Sequence, residues 1–301
     1  MKTTVPTAFE LYFAGGPTED EDERQTREDL FFHSIRLPNG THKSTGHRRL
    51  DDLNDFVMEL LPPQRPLEIM DVAVSSGVST AEWLVALERA GVDCRMLAGD
   101  AVVSASLISF GPRLRALADK DGHLLQLDLG GQAIRLPPPR RRDRVLYAPF
   151  TLLMKAASRL FDLAAPAGAP TQRRLGITCS SLKLVSPSLE RLPRLRTVED
   201  DILLSTGYTR RFHVLRAANI LNLAYFDVPT LERMLLNLRG RLIPGGMLIV
   251  CRTNATGVNN ATVFTLGKDG RLNITAHLND GSEIADVVLR LPPDVSAGAS
   301  G

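Results

Sequence analysis

The stretch "LEIMDVAVSSGVSTAEW", residues 67–83, decides the fold. "LEIMDVAV" is a short apolar run of the kind a central strand shows when both its faces are covered. A turn of small residues follows. Ser79 with Glu82 three places on fits a capping box, which predicts a helix from about Thr80 to Ala90. "DCRMLAGD" then reads as a second strand ending at Asp100. Strand, helix and strand make one βαβ unit, and its first turn offers backbone N–H groups to a nucleotide-like ligand.

A dinucleotide loop at this turn wants G-x-G-x-x-G. Only Gly77 is present as glycine. The spacing fits D-x-G-x-G-x-G instead, with Asp71 leading and Ala73 and Ser75 in place of two glycines. A plain tight turn is the competing reading.

The alternation of strands and helices continues outward from this unit. "HRRLDDLNDFVMELLPP" carries Leu50, Leu53, Phe56, Val57, Leu60 and Leu61 at helical spacing before Pro62 and Pro63 stop it. "RFHVLRAANIL" reads as a strand leading into a loop. "DVPTLERMLLNLRGRLIPGG" predicts a helix capped by Asp227, with Pro229 in its first turn and Pro244-Gly245-Gly246 ending it. "MLIVCRT" is a further buried strand. "GRLNITAHL" and "SEIADVVLRL" read as two closing strands, paired antiparallel. The expected class is α/β, a Rossmann-like, mostly parallel seven-stranded sheet with helices on both faces and an antiparallel closing strand.

Residues 101–196 interrupt this rhythm. They hold 16 Lys or Arg against 6 Asp or Glu, a balance of +10 in a chain whose net charge is +2, which leaves −8 elsewhere. Such asymmetry suits an anionic partner. "LLQLDLGGQAIRLPPPRRRDR" reads as a strand and turn, then a basic proline-rich joint. "APFTLLMKAASRLFDLAAPAGAP" predicts an amphipathic helix over roughly 149–164, with Lys155, Arg159 and Asp162 on one narrow polar face. That helix either packs on a sheet, lids an apolar substrate pocket, or lies on an anionic membrane beside Arg140, Arg141, Arg142 and Arg144. Nucleic acid is not expected, because aromatic residues make up only 5% of the chain and few interleave the basic run. The expected organisation is a tail (1–28), a first half-domain (29–100), a basic, partly helical insertion (101–196), a second half-domain (197–292) and a final tail (293–301).

With 301 residues, 44% hydrophobic and 23% charged, the chain suits a globular protein. No window holds the roughly 18 apolar residues a membrane span needs, and "MKTTVPTAFELYFAGG" lacks a signal peptide's apolar core, so the cytoplasm is the expected location. Cys94, Cys179 and Cys251 are far apart and read as buried hydrophobes rather than a metal site. His42 and His47 sit in a loop, five residues apart, and no metal is expected there.

The Asp71–Gly77 spacing resembles the class I S-adenosylmethionine-dependent methyltransferases. In that family the loop passes under the cofactor's amino acid and ribose, with no pyrophosphate to admit, so Ala or Ser is tolerated. Asp100 matches the acid that accepts hydrogen bonds from both ribose hydroxyls, although a turn or capping Asp reads equally well from the residues. "LRTVEDDIL" resembles the family's third strand, where an acid meets the adenine amino group. Asp201-Ile202 aligns best, with Asp200 the near alternative and a solvated acidic loop the plain reading. "RFHVLRAANILNLAYFDVPTLERMLLNLRGRLIPGGMLIVCRT" resembles the fourth strand, the L-x-P-G-G turn and the fifth strand, with His213 where the family usually has Asp. "RAANILNLAYF" is similar to the R-N-V-L-x-Y-F segment of chemotaxis-receptor glutamate methyltransferases, whose helical N-terminal domain is not evident here. "NDGSEIADVVL" suits the family's closing antiparallel strand.

The resemblance implies S-adenosylmethionine as cofactor, with contacts at Asp71, Ala73, Ser75, Gly77, Asp100, Ala101, Asp200, Asp201, Ile202 and Ala217. Asn219 and Tyr225 are substrate-side candidates; the plain reading makes Asn219 a cap and Tyr225 a core residue. The nucleophile, a substrate O, N, C or S, attacks the sulfonium methyl in line, so no catalytic residue is implied. The expected substrate is small or lipid-like. Two other functions stay open: a cofactor-binding or interaction protein without catalysis, suggested by Ala73 and Ser75, and an NAD(P)-dependent dehydrogenase. The dehydrogenase accounts for the first βαβ unit but not for the L-x-P-G-G turn and closing strands. A side chain plugging the floor formed by residues 73, 75 and 77 would contradict the enzyme reading.

Overall fold

A computed structural model describes residues 4–14, 21–37, 43, 46–134, 141–204 and 207–294, apart from the side chains of Glu21, residues 141–148 and Thr151. Along the chain run α1 (Ala8–Tyr12), α2 (Glu21–Ser34), α3 (Asp51–Met58), β1 (Leu67–Val72), α4 (Val78–Arg89) and β2 (Cys94–Asp100). Then come β3 (Ser104–Ser109), β4 (Leu114–Asp119), β5 (Leu124–Leu129), β6 (Gln132–Ile134), α5 (Arg141–Leu160), β7 (Gln172–Arg174) and β8 (Ile177–Lys183). After a 3-10 turn, Pro187–Arg191, follow β9 (Leu195–Glu199), β10 (Phe212–Ala218), α6 (Val228–Arg241), β11 (Leu242–Thr253), β12 (Asn259–Leu266), β13 (Leu272–Leu278) and α7 (Ala285–Leu289). No helix among the described residues is long and apolar enough to cross a membrane.

The chain divides into two compact units, Met1–Gly46 with Val102–Pro187, and His47–Ala101 with Ser188–Gly301. This differs from the expected boundaries at the N-terminus, where residues 1–46 belong with the insertion.

The second unit is the Rossmann-like α/β domain. Its seven strands lie in the order β13-β12-β11-β10-β1-β2-β9. Strands β9, β2, β1, β10 and β11 pair in parallel, and β12 and β13 complete the sheet antiparallel. Side chains alternate across each strand, so each face collects its own apolar set. Met70, Val72, Leu215, Ala217, Leu248 and Val250 pack with Leu231, Leu235 and Leu238 of α6 and with Val287 and Val288 of α7. Leu53 and Val57 of α3 and Trp83, Leu84 and Leu87 of α4 are also buried.

Three local expectations are corrected. "SEIADVVLRL" is helix α7 rather than a strand; the closing antiparallel pair is β12 with β13. α4 starts at Val78 behind a left-handed Gly77, and no side chain caps it. Its Glu82 instead accepts the Arg48 N–H at 2.9 Å, so the Ser79–Glu82 capping box does not form. Finally, Pro244-Gly245-Gly246 lies within β11. The register there jumps from Phe212↔Leu242 to Val214↔Met247. Gly245 has φ +81, and a Cβ on Gly246 would stand 2.9 Å from the Ile243 carbonyl oxygen, so both glycines are required by the bulge.

The cap on α6 does form: the Asp227 side chain accepts the Thr230 N–H at 3.0 Å. Thr230 beside Asp227 holds its carboxyl below the ordinary value of 3.8. A depressed carboxylate contributes stability above its unfolded value and loses it as pH falls through the folded one. Asp227→Ala is therefore expected to lower the melting temperature at pH 7 and to have little effect at pH 2. An equal loss at both would remove the charged cap from this account.

The first unit is a six-stranded antiparallel sheet in the order β6-β5-β4-β3-β8-β7. The insertion was expected to be partly helical; its framework is strand, with α5 as its one long helix. Met154, Ala157 and Phe161 on α5 pack with Ile108, Ala116, Leu127 and Cys179 on one face. These three side chains are covered by the sheet, whereas Leu152 of α5 is 66% exposed, and the side chains of Arg140, Arg141, Arg142 and Arg144 lie outside the described residues. Phe31, Phe32 and Ile35 of the N-terminal segment cover the other face, with Leu107, Leu117 and Leu182. Buried Gln126 joins segment to sheet: its Oε1 accepts the Ala8 N–H at 2.8 Å and its Nε2 donates to the Pro6 carbonyl at 3.1 Å. The expected tail 1–28 accordingly contains α1 and the first part of α2.

Candidate cofactor site

In open parallel sheets, ligands bind at the carboxyl ends of the strands. At the end of β1, Ala73, Ser75 and Gly77 have φ values of 56°, 59° and 81°. These are the three positions where the D-x-G-x-G-x-G spacing calls for glycine. The loop keeps a glycine-type backbone although two of its residues carry a Cβ, which costs about 1–2 kcal/mol at each such residue. Val74 and Ser76 between them are buried, while Ala73 and Ser75 are half-buried. The Val74 N–H donates to the Gly99 carbonyl at 3.2 Å, and the Gly77 N–H to the Val74 carbonyl at 2.8 Å.

Ala73 and Ser75 keep some exposure, whereas Gly77 is buried. A Cβ on Gly77 would lie 2.3 Å from Cδ2 of Leu189, itself only 2% exposed. Leu189 sits in the 3-10 turn preceding β9. Gly77→Ala is expected to destabilise the protein by about 1–2 kcal/mol through its left-handed backbone alone, with the Leu189 overlap adding to this. In urea unfolding, Leu189→Ala should relieve only the overlap part of the Gly77→Ala penalty. A neutral Gly77→Ala variant would contradict the geometry.

Three carboxylates stand at the ends of adjacent strands β1, β2 and β9: Asp71, Asp100 and Asp200, exposed by 3%, 7% and 4%. Asp100 faces the loop, and its Oδ2 accepts the Ser75 N–H at 2.7 Å. Ala101, just beyond it, is exposed.

Asp71 and Asp200, both expected as cofactor contacts, are paired with arginines. The Arg216 fork grips Asp71 through Nε to Oδ1 at 3.1 Å and Nη2 to Oδ2 at 2.6 Å, and the Thr80 hydroxyl donates to the same Oδ2 at 2.7 Å. Asp200 turns its Oδ2 to Nη1 of Arg241 at 2.6 Å, while its Oδ1 and Nη2 of Arg241 are buried without a hydrogen-bond partner. Asp201 accepts the Leu203 N–H at 2.9 Å and so shapes a turn. Ile202 and Ala217 belong to the apolar core.

The residues after β10 are also spent on structure. Asn219, at φ 62°, accepts the Thr253 N–H at 2.7 Å and donates to the Thr253 hydroxyl at 3.2 Å, which ties the end of β10 to that of β11. The expected substrate contact at Asn219 is thus replaced by a strand tie. Asn222 Oδ1 accepts the N–H groups of Ala224 and Tyr225, both at 3.1 Å. The turn this makes leaves Tyr225 59% exposed beside Leu223 at 50%. Of the proposed substrate-side pair, only Tyr225 is presented to solvent.

His213 behaves as a structural histidine: its Nδ1 accepts the Glu68 N–H at 3.0 Å. His47 pairs with Glu82 at 3.3 Å, and His42 lies outside the described residues. Burial pushes the Cys94 thiol up to about 11 and that of Cys251 up to about 12, so neither supplies a thiolate near neutral pH. In the first unit, Asp119, Asp121 and His123 bring ligand atoms within 4.8 Å of one another. The arrangement is a hairpin turn: Asp119 Oδ1 accepts the N–H groups of Asp121 and His123, and its Oδ2 meets the His123 ring at 2.9 Å.

No protein-family model and no curated protein matches this sequence. Among solved structures, the chain is similar to the CMeT domain of the citrinin polyketide synthase, at 16% identity and TM-score 0.34, over 67% of this chain and 34% of that one. It is similar to the N-methyltransferase NodS from Bradyrhizobium japonicum WM9 in complex with S-adenosyl-L-homocysteine, at 13% identity and TM-score 0.32, over 70% and 66%. It is also similar to an O-methyltransferase family protein from Burkholderia thailandensis, at 14% identity and TM-score 0.34, over 78% and 43%. The match thus spans between about a third and two thirds of those chains' length. At such identities and scores the likeness bears on no residue of the site.

Proposed function

We propose that the α/β unit binds S-adenosylmethionine and transfers its methyl group to a small or lipid-like acceptor. The observation that carries this reading is the loop itself: left-handed backbone at 73, 75 and 77, with the Asp100 carboxylate hydrogen-bonded to its central N–H. The half-buried Ala73 and Ser75 leave room for a nucleoside, and Asp100 is an acceptor beside it for ribose hydroxyls. These residues fit the nucleoside end of the cofactor, while Asp71 and Asp200 are engaged by arginines and are not assigned a direct contact with it.

When bound, the cofactor supplies an activated methyl carbon, and the substrate's O, N, C or S displaces the thioether sulfur as the new bond forms. The chain's part is positioning and exclusion of water. Ala73 and Ser75 form the floor, Asp100 holds the nucleoside from the side, and Leu223 and Tyr225 offer apolar surface at the same end of the sheet. A second reading, cofactor binding without catalysis, is favoured by one observation: Leu189 covers the loop at Gly77.

Calorimetry with S-adenosylmethionine, S-adenosylhomocysteine and NAD separates these functions. The first two should bind and NAD should not; NAD binding alone would support a dehydrogenase. Asp100→Asn keeps an oxygen for the Ser75 N–H but gives up the charged acceptor, and should weaken binding by about 1–3 kcal/mol. Unchanged affinity in that variant would remove the ribose contact. Binding without transfer to any of a broad acceptor panel would favour the non-catalytic reading.

A further inference from the structure

We propose that Arg216 is a positioning residue, which holds the 73–77 loop in its left-handed conformation by locking the chain on both sides of it. Before the loop, Arg216 takes both oxygens of Asp71, its direct neighbour in the β1–β10 register. After the loop, its Nη2 donates to the Ser79 carbonyl at 3.1 Å in the first turn of α4. Thr80 closes the loop's base by donating to Asp71. The guanidinium also donates from Nη1 to Asn54 of α3 at 2.8 Å and stacks 4.2 Å above the Trp83 ring. Arg216 is 1% exposed, and every nitrogen of its fork has a partner. One side chain therefore fixes β1, β10, α3 and α4 around a five-residue loop in which Ala73 and Ser75 carry a strained backbone.

The need for such a clamp follows from the sequence of the loop. Glycine adopts a positive φ at no steric cost, whereas alanine and serine do not. With Ala73 and Ser75 the loop is biased to relax toward ordinary backbone. Anchors at both ends oppose that relaxation, because the two chain segments cannot move apart without breaking the Arg216–Asp71 pair or the buried hydrogen bonds that tie Arg216 to Ser79 and Asp71 to Thr80.

The clamp predicts a specific rescue. Arg216→Lys keeps the charge but loses the fork. In hydrogen exchange, the amides of Ser75, Ser76 and Gly77 should exchange about tenfold faster or more, relative to those of β11. Adding Ala73→Gly and Ser75→Gly should restore most of that protection, whereas the same glycine pair in the wild-type chain should change it by only a few-fold. A uniform rise across the α/β unit, or no rescue by the glycines, would reduce Arg216 to an ordinary core residue and overturn the proposal. If Arg216→Lys does not fold, Thr80→Val, which removes one bond to Asp71 and keeps the arginine, is read by the same criteria. An affinity readout with S-adenosylhomocysteine, which rests on the proposed function, should follow the same loss and rescue. A wild-type protein that does not bind it overturns that function and leaves exchange to decide the clamp.

Discussion

Arg216→Met is expected to destabilise the α/β unit by about 3–5 kcal/mol in urea unfolding, the cost of stripping one partner from a buried ion pair. Asp71 would keep its hydrogen bond from Thr80 but face an apolar side chain at 3% exposure. Replacing both partners, as Asp71→Leu with Arg216→Met, should recover only part of the loss. The arginine also serves the Asn54 side chain and the Ser79 carbonyl, and the aspartate serves the Thr80 hydroxyl. The Asn54 oxygen and the Thr80 hydroxyl would lose these buried partners, and the Ser79 carbonyl its second donor. A double variant as stable as the wild type would show that the network does not hold the unit together.

The second large effect is at Arg241. Arg241→Met should also cost about 3–5 kcal/mol, because Asp200 is left buried and uncompensated. Here, however, the double replacement should behave differently. The surroundings of this pair are largely apolar: Met70 sulfur lies 3.5 Å from Nη1, and the Tyr208 ring centroid 6.0 Å from the guanidinium. Asp200 Oδ1 and Arg241 Nη2 lack partners already. An incompletely satisfied buried pair gains little over well-packed apolar side chains. Asp200→Leu with Arg241→Met is therefore expected to come within about 1 kcal/mol of the wild type or above it. The two double variants are thus expected to differ in how much stability they recover, and unfolding curves of both test that contrast. An Asp200/Arg241 double variant as unstable as Arg241→Met alone would contradict it.

The α/β sheet was legible because its central strands are covered on both faces. "MLIVC" reads as an unbroken apolar run, "LEIMDV" as a mainly apolar one carrying Glu68 and Asp71, and Asp227 with Pro229 marks a helix start. The antiparallel sheet was hidden by its own composition. "SASLIS" and "ITCSSLK" are short and half polar, and Gln126 lies buried in the strand "LLQLDL". Its N-terminal cover, "LFFHSI", is separated from the strands it covers by the first half of the other unit. "SEIADVVLRL" failed for a different reason: a short apolar run has no period long enough to separate strand from helix. At the candidate site, Asp100 could be placed by counting from the loop. The commitment of Asp71 to Arg216 could not, because it depends on β10 lying beside β1 across 145 residues of chain. The Leu189 cover on Gly77 was invisible for the same reason. The D-x-G-x-G-x-G spacing marks 73, 75 and 77 as glycine positions, and these are the loop residues with positive φ.

The central claim is that Ala73, Ser75 and Asp100 form the seat of a nucleoside cofactor. A crystal structure grown with S-adenosylhomocysteine tests it most directly. Density for the ribose against the Asp100 carboxylate, above Ala73 and Ser75, is the expected result. A loop left bare at saturating ligand, with no density beside the Asp100 carboxylate, would contradict it.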